Sequence, residues 1–326
     1  MFKKLNLKTL LVILAVVLGI YLIAQYTDDS ERNFRSQLTT FTKEKVNRIV
    51  YTKKGDDANT VTLRDVPSGW ELKQGEKTFA ADTTRVARMI NQLYNLRAER
   101  VAAKRRDKWE KYEVTDSAST YVRMFRDDEL LADIHLGKFS YTQPDQKQQR
   151  RMQQSRRRPR GKMTTFVRLA GEEPVYAVDG FLSMNFPKDA NKLRNRSLVD
   201  ASQHAITRVD LAGKYDYSLE KGPAGWSVNG NPADSATAAS YVGILSTMNG
   251  GKFAEVDPET LTEPVQTAVI ERANKEGITL KAYPAPQDEG YKYVINSSAN
   301  EKAWFTSEKN LFTRIFKDKE HFLPEK

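Results

Sequence analysis

Two distant stretches of this chain are built alike, and that internal match constrains the fold more than any other feature. Pro67-Ser68-Gly69-Trp70 returns as Pro223-Ala224-Gly225-Trp226. Proline at the second place of the turn and glycine at the fourth suit a type I turn. Ala81-Asp82-Thr83 returns as Ala233-Asp234-Ser235, where each aspartate reads as a helix N-cap. Val86, Ile90, Leu93 and Leu96 return as Ala238, Val242, Leu245 and Met248, each 152 positions later and spaced for one helix face. Arg48-Ile49-Val50 matches Arg208-Val209-Asp210 at an offset of 160.

The repeat assigns stretches that propensity leaves open. Thr120 to Leu136 aligns without gaps to Thr267 through Tyr283, an offset of 147. The first copy alternates and turns at Asp127-Asp128-Glu129, so both read as β-hairpins, the second turning at Asn274-Lys275-Glu276-Gly277. Beyond the hairpin Phe166-Val167 matches Tyr293-Val294 at 127, and the drop of 20 equals the length of Gln143 to Lys162. That segment therefore reads as an insertion into a loop of copy one. Phe186 matches Phe316. Each copy is expected to run strand, strand, tryptophan strand, helix, strand, hairpin, strand, strand, short helix. The expected fold class is α+β, two tandem, internally repeated domains of mostly antiparallel strands with a packed helix each. Each tryptophan is expected to plug a core.

Before the repeats stands Leu10 to Ala24, fifteen residues without charge or proline. Extended from Leu5 to Tyr26 it reaches about 33 Å of helix, enough for a hydrocarbon core of roughly 30 Å if Lys8 snorkels. Lys3, Lys4 and Lys8 precede it, and Asp28, Asp29 and Glu31 follow. A basic leading flank stays cytoplasmic, so the remainder is expected on the far side of a bacterial inner membrane, held by one transmembrane helix. The rival is a cleaved signal peptide, for which Leu22-Ile-Ala24 is a poor site because Leu22 is bulky. Thr27 to Lys45, with Phe34, Leu38 and Phe41, reads as a short amphipathic helix or stalk. The expected organisation is an anchor over 1–26, a stalk over 27–45, repeat one over 46–192, a linker over 193–203 and repeat two over 204–326.

Net charge is +10, but Gln143 to Lys162 holds Lys147, Arg150, Arg151, Arg156, Arg157, Arg158, Arg160 and Lys162 against one acid, Asp145. The remainder is nearly balanced. These eight cations are the candidate contact for an anionic partner. Two readings stand: a flexible solvated insertion, or a surface for anionic lipid, lipopolysaccharide phosphate or an acidic partner. Export makes nucleic acid the wrong partner.

The order of Gly69-Trp70, the helix Thr83 to Leu96, Leu136-Gly137-Lys138, Thr165-Phe-Val-Arg-Leu169 and Val175-Tyr176 resembles an uncharacterised bacterial family, catalogued as a domain of unknown function. Tyr112-Glu113-Val114 departs from its pattern by lacking a proline, whereas the second copy keeps Leu261 and Pro264. The resemblance implies an anchored, duplicated, exported protein. It also implies partners: the permease and exported auxiliary subunit of a gliding-motility-type ABC transporter. It carries over no catalytic residue.

The chain has no cysteine, which excludes disulfides, thiolate nucleophiles and cysteine metal sites. His135, His204 and His321 are not spaced as metal ligands. No nucleophile elbow or phosphate loop occurs. The expectation is a protein without enzymatic activity, cofactor or metal: an extracytoplasmic accessory or scaffold of an envelope complex. The alternative is an exported module binding polysaccharide or anionic lipid through the arginine-rich segment.

Overall fold

The computed structural model describes residues 34–143, 161–286 and 290–324. Among the described residues no helix is long and apolar enough to cross a membrane. The expected anchor, Leu10 to Ala24, lies outside them.

The first sheet has nine strands: β1 Arg48–Lys53, β2 Val61–Val66, β3 Gly69–Gln74, β4 Lys77–Ala80, β5 Ala98–Ala103, β6 Thr120–Arg126, β7 Glu129–Thr142, β8 Lys162–Leu169 and β9 Val175–Asp179. Their order is β4-β3-β2-β1-β6-β7-β8-β9-β5. The second has eight: β10 Ile206–Gly213, β11 Tyr217–Gly222, β12 Gly225–Val228, β13 Asn231–Pro232, β14 Gln266–Arg272, β15 Lys275–Pro284, β16 Tyr293–Ser297 and β17 Phe305–Thr306. Their order is β13-β12-β11-β10-β14-β15-β16-β17. The pairings within both sheets are antiparallel. With few helices, this is a β-rich α+β fold. By contact, one unit comprises the chain up to Asp65 with Thr84–Ala190, and the other Val66–Thr83 with Asn191–Lys326.

The helical periodicity holds through Leu93 and Leu245, while the last of each set, Leu96 and Met248, is buried just beyond its helix. α1, Thr83–Leu93, buries Val86, Met89, Ile90 and Leu93, and α2, Ser235–Ser246, buries Ala238, Val242 and Leu245. The Asp234 carboxylate accepts from the Thr237 amide at 2.7 Å, the expected N-cap. A five-residue helix, α3, spans Leu311–Ile315. Trp226 is buried in the second core, whereas Trp70 is half-buried. Gly69 and Gly225 share φ +115°, a conformation open to glycine, which explains why both turns end on that residue.

Both hairpins form, but the second turns at Ala273-Asn274, earlier and tighter than expected, with Asn274 left-handed at φ 60°. Register corrects the sequence alignment by one residue. Ile49 pairs with Leu63 and Met124, while Val209 pairs with Leu219 and Ile270. Thr120 therefore stands where Gln266 stands, not Thr267. Side chains alternate faces along a strand, so a one-place slip exchanges core for solvent: Val122 is buried and Val269 is 36% exposed. The same shift matches Val167 to Ile295, since both oppose the corresponding residues of the preceding strand, Leu136 and Ala282.

Of the expected stalk, residues 27–33 lie outside the described residues, residues 34–42 are not helical, and Lys43–Lys45 form a single 3₁₀ turn. Leu38 and Phe41 are buried, and the Leu38 amide donates to the Leu96 carbonyl at 2.8 Å. Thr39 Oγ1 donates to the Leu93 carbonyl at 2.6 Å and accepts from the Leu96 amide at 2.8 Å. The Leu93 carbonyl is one of those that the C-terminus of α1 leaves open, and Leu96 lies just past the turn that follows, so the extended segment ties down the exit of the helix. Leu193 to Ala201 is likewise built in. Leu193, Leu198 and Val199 are buried, and the Leu198 and Val199 amides donate to the Met248 carbonyl at 2.8 and 3.1 Å.

Candidate functional site

Of the eight cations singled out in the sequence, Lys147, Arg150, Arg151, Arg156, Arg157, Arg158 and Arg160 lie outside the described residues. Lys162 opens β8, and its ammonium meets Glu99 Oε2 of β5 at 2.7 Å. Both side chains keep water contact, so the pair is worth at most about 1 kcal/mol.

The strands that lead into and out of the basic segment carry an apolar surface. Phe139 pairs with Thr165 and Tyr141 with Met163 across β7 and β8. Phe139 and Tyr141 are two places apart and share a face. The Phe181 ring stacks on Phe139 at 4.2 Å. The loop bearing Phe181 is pinned from below. Thr165 Oγ1 donates to the Gly180 carbonyl at 2.6 Å and accepts from the Leu182 amide at 3.1 Å. Gln92 of α1 donates to the Phe181 carbonyl at 3.3 Å and accepts from Asn185 at 2.7 Å. Tyr141, Met163, Phe181 and Met184 remain 55, 45, 37 and 66% exposed. Exposed large apolar side chains from neighbouring elements make this face a candidate interaction surface. Single-residue reading missed it, because the five residues come from two strands and a loop.

A second cluster has the residue types of a hydrolase but not its access. Ser119 Oγ and His135 Nδ1 are 2.9 Å apart, and His135 Nε2 is 3.6 Å from Asp116 Oδ1. The tautomer with its proton on Nε2, on the side of the carboxylate, leaves Nδ1 to accept from the serine hydroxyl. Arg168 Nη2 donates to Asp116 Oδ1 at 2.9 Å, and its Nε donates to the Val114 carbonyl at 3.0 Å. Trp109 covers the guanidinium at 3.9 Å, and Tyr121 stacks on the imidazole at 4.3 Å. Burial and then the Arg168 charge push His135 down to about 4, against the weaker pull of Asp116. Ser119 is fully buried and His135 is 3% exposed, so no substrate reaches the hydroxyl. The cluster bolts the Val114–Ser119 segment onto β7 and β8. Among the described residues no group of three or more histidine and acidic side chains could hold a metal ion.

The family described as Domain of unknown function (DUF4340) matches residues 70–266. That range covers more than half of the chain and runs from Trp70 of β3 to Gln266 of β14. No curated protein matches the chain. No solved structure matches it either.

Proposed function

This chain belongs to the DUF4340 family, and we propose that it is a membrane-anchored extracytoplasmic scaffold subunit of an envelope complex, associated with a gliding-type ABC transporter. The observation that carries the reading is the pinned apolar surface of Tyr141, Met163, Phe181 and Met184. Large apolar side chains exposed together in this way suit a surface that another molecule covers. The uncharged run Leu10 to Ala24 with its lysine flank supports one span and export. The ABC-transporter association rests on the family resemblance alone.

The reading includes duplication. Strand orders that correspond from β4 and β13 through β9 and β17 support it, as do the equal φ of Gly69 and Gly225. Two arms of one build would give a tethered scaffold two binding faces outside the membrane. The test is purification of the chain from its native membrane in mild detergent. Co-purification of a permease and an ATPase is expected, and loss of both on Tyr141→Ser with Phe181→Ser. A chain that emerges alone and monomeric rejects the scaffold.

A second reading has its own support. The apolar surface lies on the strands that enter and leave Gln143 to Lys162, the most cationic stretch of the chain. Aromatic and basic groups together suit an anionic lipid or lipopolysaccharide surface. Deleting 144–160 would then abolish salt-dependent binding to anionic vesicles; unchanged binding rejects this reading.

A further inference from the structure

The two sheets treat one rung of their outer faces differently. In the first, Tyr121, His135 and Arg168 stand side by side across β6, β7 and β8, under Trp109 and the Val114–Ser119 segment. The matching rung of the second is Thr267, Lys281 and Asn296. There the face opens into a groove of about 730 Å³ lined by Glu263, Lys281, Tyr283, Asn296, Glu301 and Trp304. Every one of these residues belongs to the second unit.

We propose that this groove binds an uncharged oligosaccharide. Tyr283 and Trp304 form an angled aromatic wall, their centroids 5.6 Å apart and their planes at 58°. The wall is set before a ligand arrives. Asn296 Nδ2 donates to the carbonyls of Glu301 at 3.0 Å and Ala303 at 2.9 Å, and the Ala254 amide donates to the Trp304 carbonyl at 2.8 Å. Phe305, the next residue, is fully buried and fixes the backbone behind Trp304. Preorganisation of this kind removes an ordering cost from binding.

The lining selects the ligand class. A pyranose presents slightly positive axial C–H groups on its faces, which suit the negative face of an aromatic ring. Its hydroxyls need donors and acceptors around the rim, and Lys281, Ser298, Glu263 and Glu301 line the groove with both. Two carboxylates against one ammonium disfavour a phosphate or an anionic lipid headgroup. The groove is open, as a chain of sugar rings requires.

The test uses the full chain in nanodiscs free of sugar-headgroup detergent. Chitotetraose, cellotetraose and maltotetraose are titrated by calorimetry. Saturable sub-millimolar binding of at least one is expected. Trp304→Ala should weaken it about tenfold or more, while Trp109→Phe in the first unit leaves it within about twofold. Far-UV circular dichroism and thermal unfolding check each variant, and Tyr283→Ala takes the place of Trp304→Ala if the latter fails to fold. The proposal is overturned if none of the three sugars saturates the wild type, or if the folded aromatic variants bind as wild type does. It is equally overturned if the groove variants instead lose binding to phosphatidylglycerol vesicles. Loss of the partner-binding surface on the first unit leaves all of these readouts unchanged.

Discussion

The Tyr51 hydroxyl donates a 2.8 Å hydrogen bond to the Pro187 carbonyl. Tyr217 does the same to the Lys317 carbonyl at 3.0 Å. Each acceptor follows a buried phenylalanine, Phe186 in one half and Phe316 in the other. The tyrosines occupy one rung but opposite strands: Tyr51 of β1 faces Val61, and Tyr217 of β11 faces Leu211. Each half thus closes its core with the same bond, made from the other side of the rung.

Removing either hydroxyl should therefore cost the same. Tyr51→Phe and Tyr217→Phe each leave a partly buried carbonyl without its donor, a loss of about 1 kcal/mol. Urea unfolding of the purified chain measures it. A cost confined to one half would mean that only one of the two bonds closes a core.

His135 makes stability fall on acidification. Its folded value lies at about 4, below the ordinary imidazole value of 6.5. Between these limits the unfolded chain binds the extra proton, so stability is full above pH 6.5 and declines toward pH 4. The group contributes of order 3 kcal/mol across that window. His135→Phe keeps the stack on Tyr121 and removes the titration. Its urea midpoint should fall less between pH 6.5 and 4 than that of the wild type; parallel falls would assign the acid sensitivity to other groups.

Gly137 is required by a neighbour rather than by its own backbone. A Cβ there would overlap the Tyr112 carbonyl oxygen and the Val114 side chain, where the Lys138 amide also bonds Tyr112 at 2.8 Å. Gly137→Ala should destabilise by about 2 to 3 kcal/mol. Gly251→Ala, which meets nothing within 4 Å, should stay within about 0.5 kcal/mol. Equal thermal midpoints for the two variants would contradict the packing.

Arg194 is held between two rings, Phe79 at 3.8 Å and Phe253 at 3.6 Å, and is 8% exposed. Burial, then the Arg196 charge, lowers it to about 10. A planar guanidinium stacks on both faces at once, and an ammonium does not. Arg194→Lys should lose about 1 to 2 kcal/mol and Arg194→Ala somewhat more. Unchanged denaturation of both would show the sandwich to be incidental.

What the sequence revealed followed the range of each interaction. The faces of α1 and α2 were legible because a helix repeats within a few residues, and Val86 and Ala238 lie in the cores as expected. The hairpins were legible from alternation, but their match was one place out. Val122 and Val269 are the same residue type, and only pairing with β1 and β10 tells which faces inward. His135 stands out as one of three histidines, yet one-dimensional spacing does not gather Asp116, Ser119 and Arg168 around it. Leu136-Gly137-Lys138 stood out as a motif, while its cause, the Tyr112 carbonyl, lies in another element. The pinned apolar surface escaped altogether, since neither strand carries enough of it to break the ordinary pattern.

Export of the globular part is what the proposed function depends on most, and the absence of cysteine makes it directly measurable. Lys275→Cys places one thiol at the exposed β14–β15 turn. Intact spheroplasts are treated with a membrane-impermeant maleimide. Labelling before lysis, equal to that after lysis, is the expected result. A thiol that reacts only once the membrane is broken would place the sheets in the cytosol and contradict the scaffold outside it.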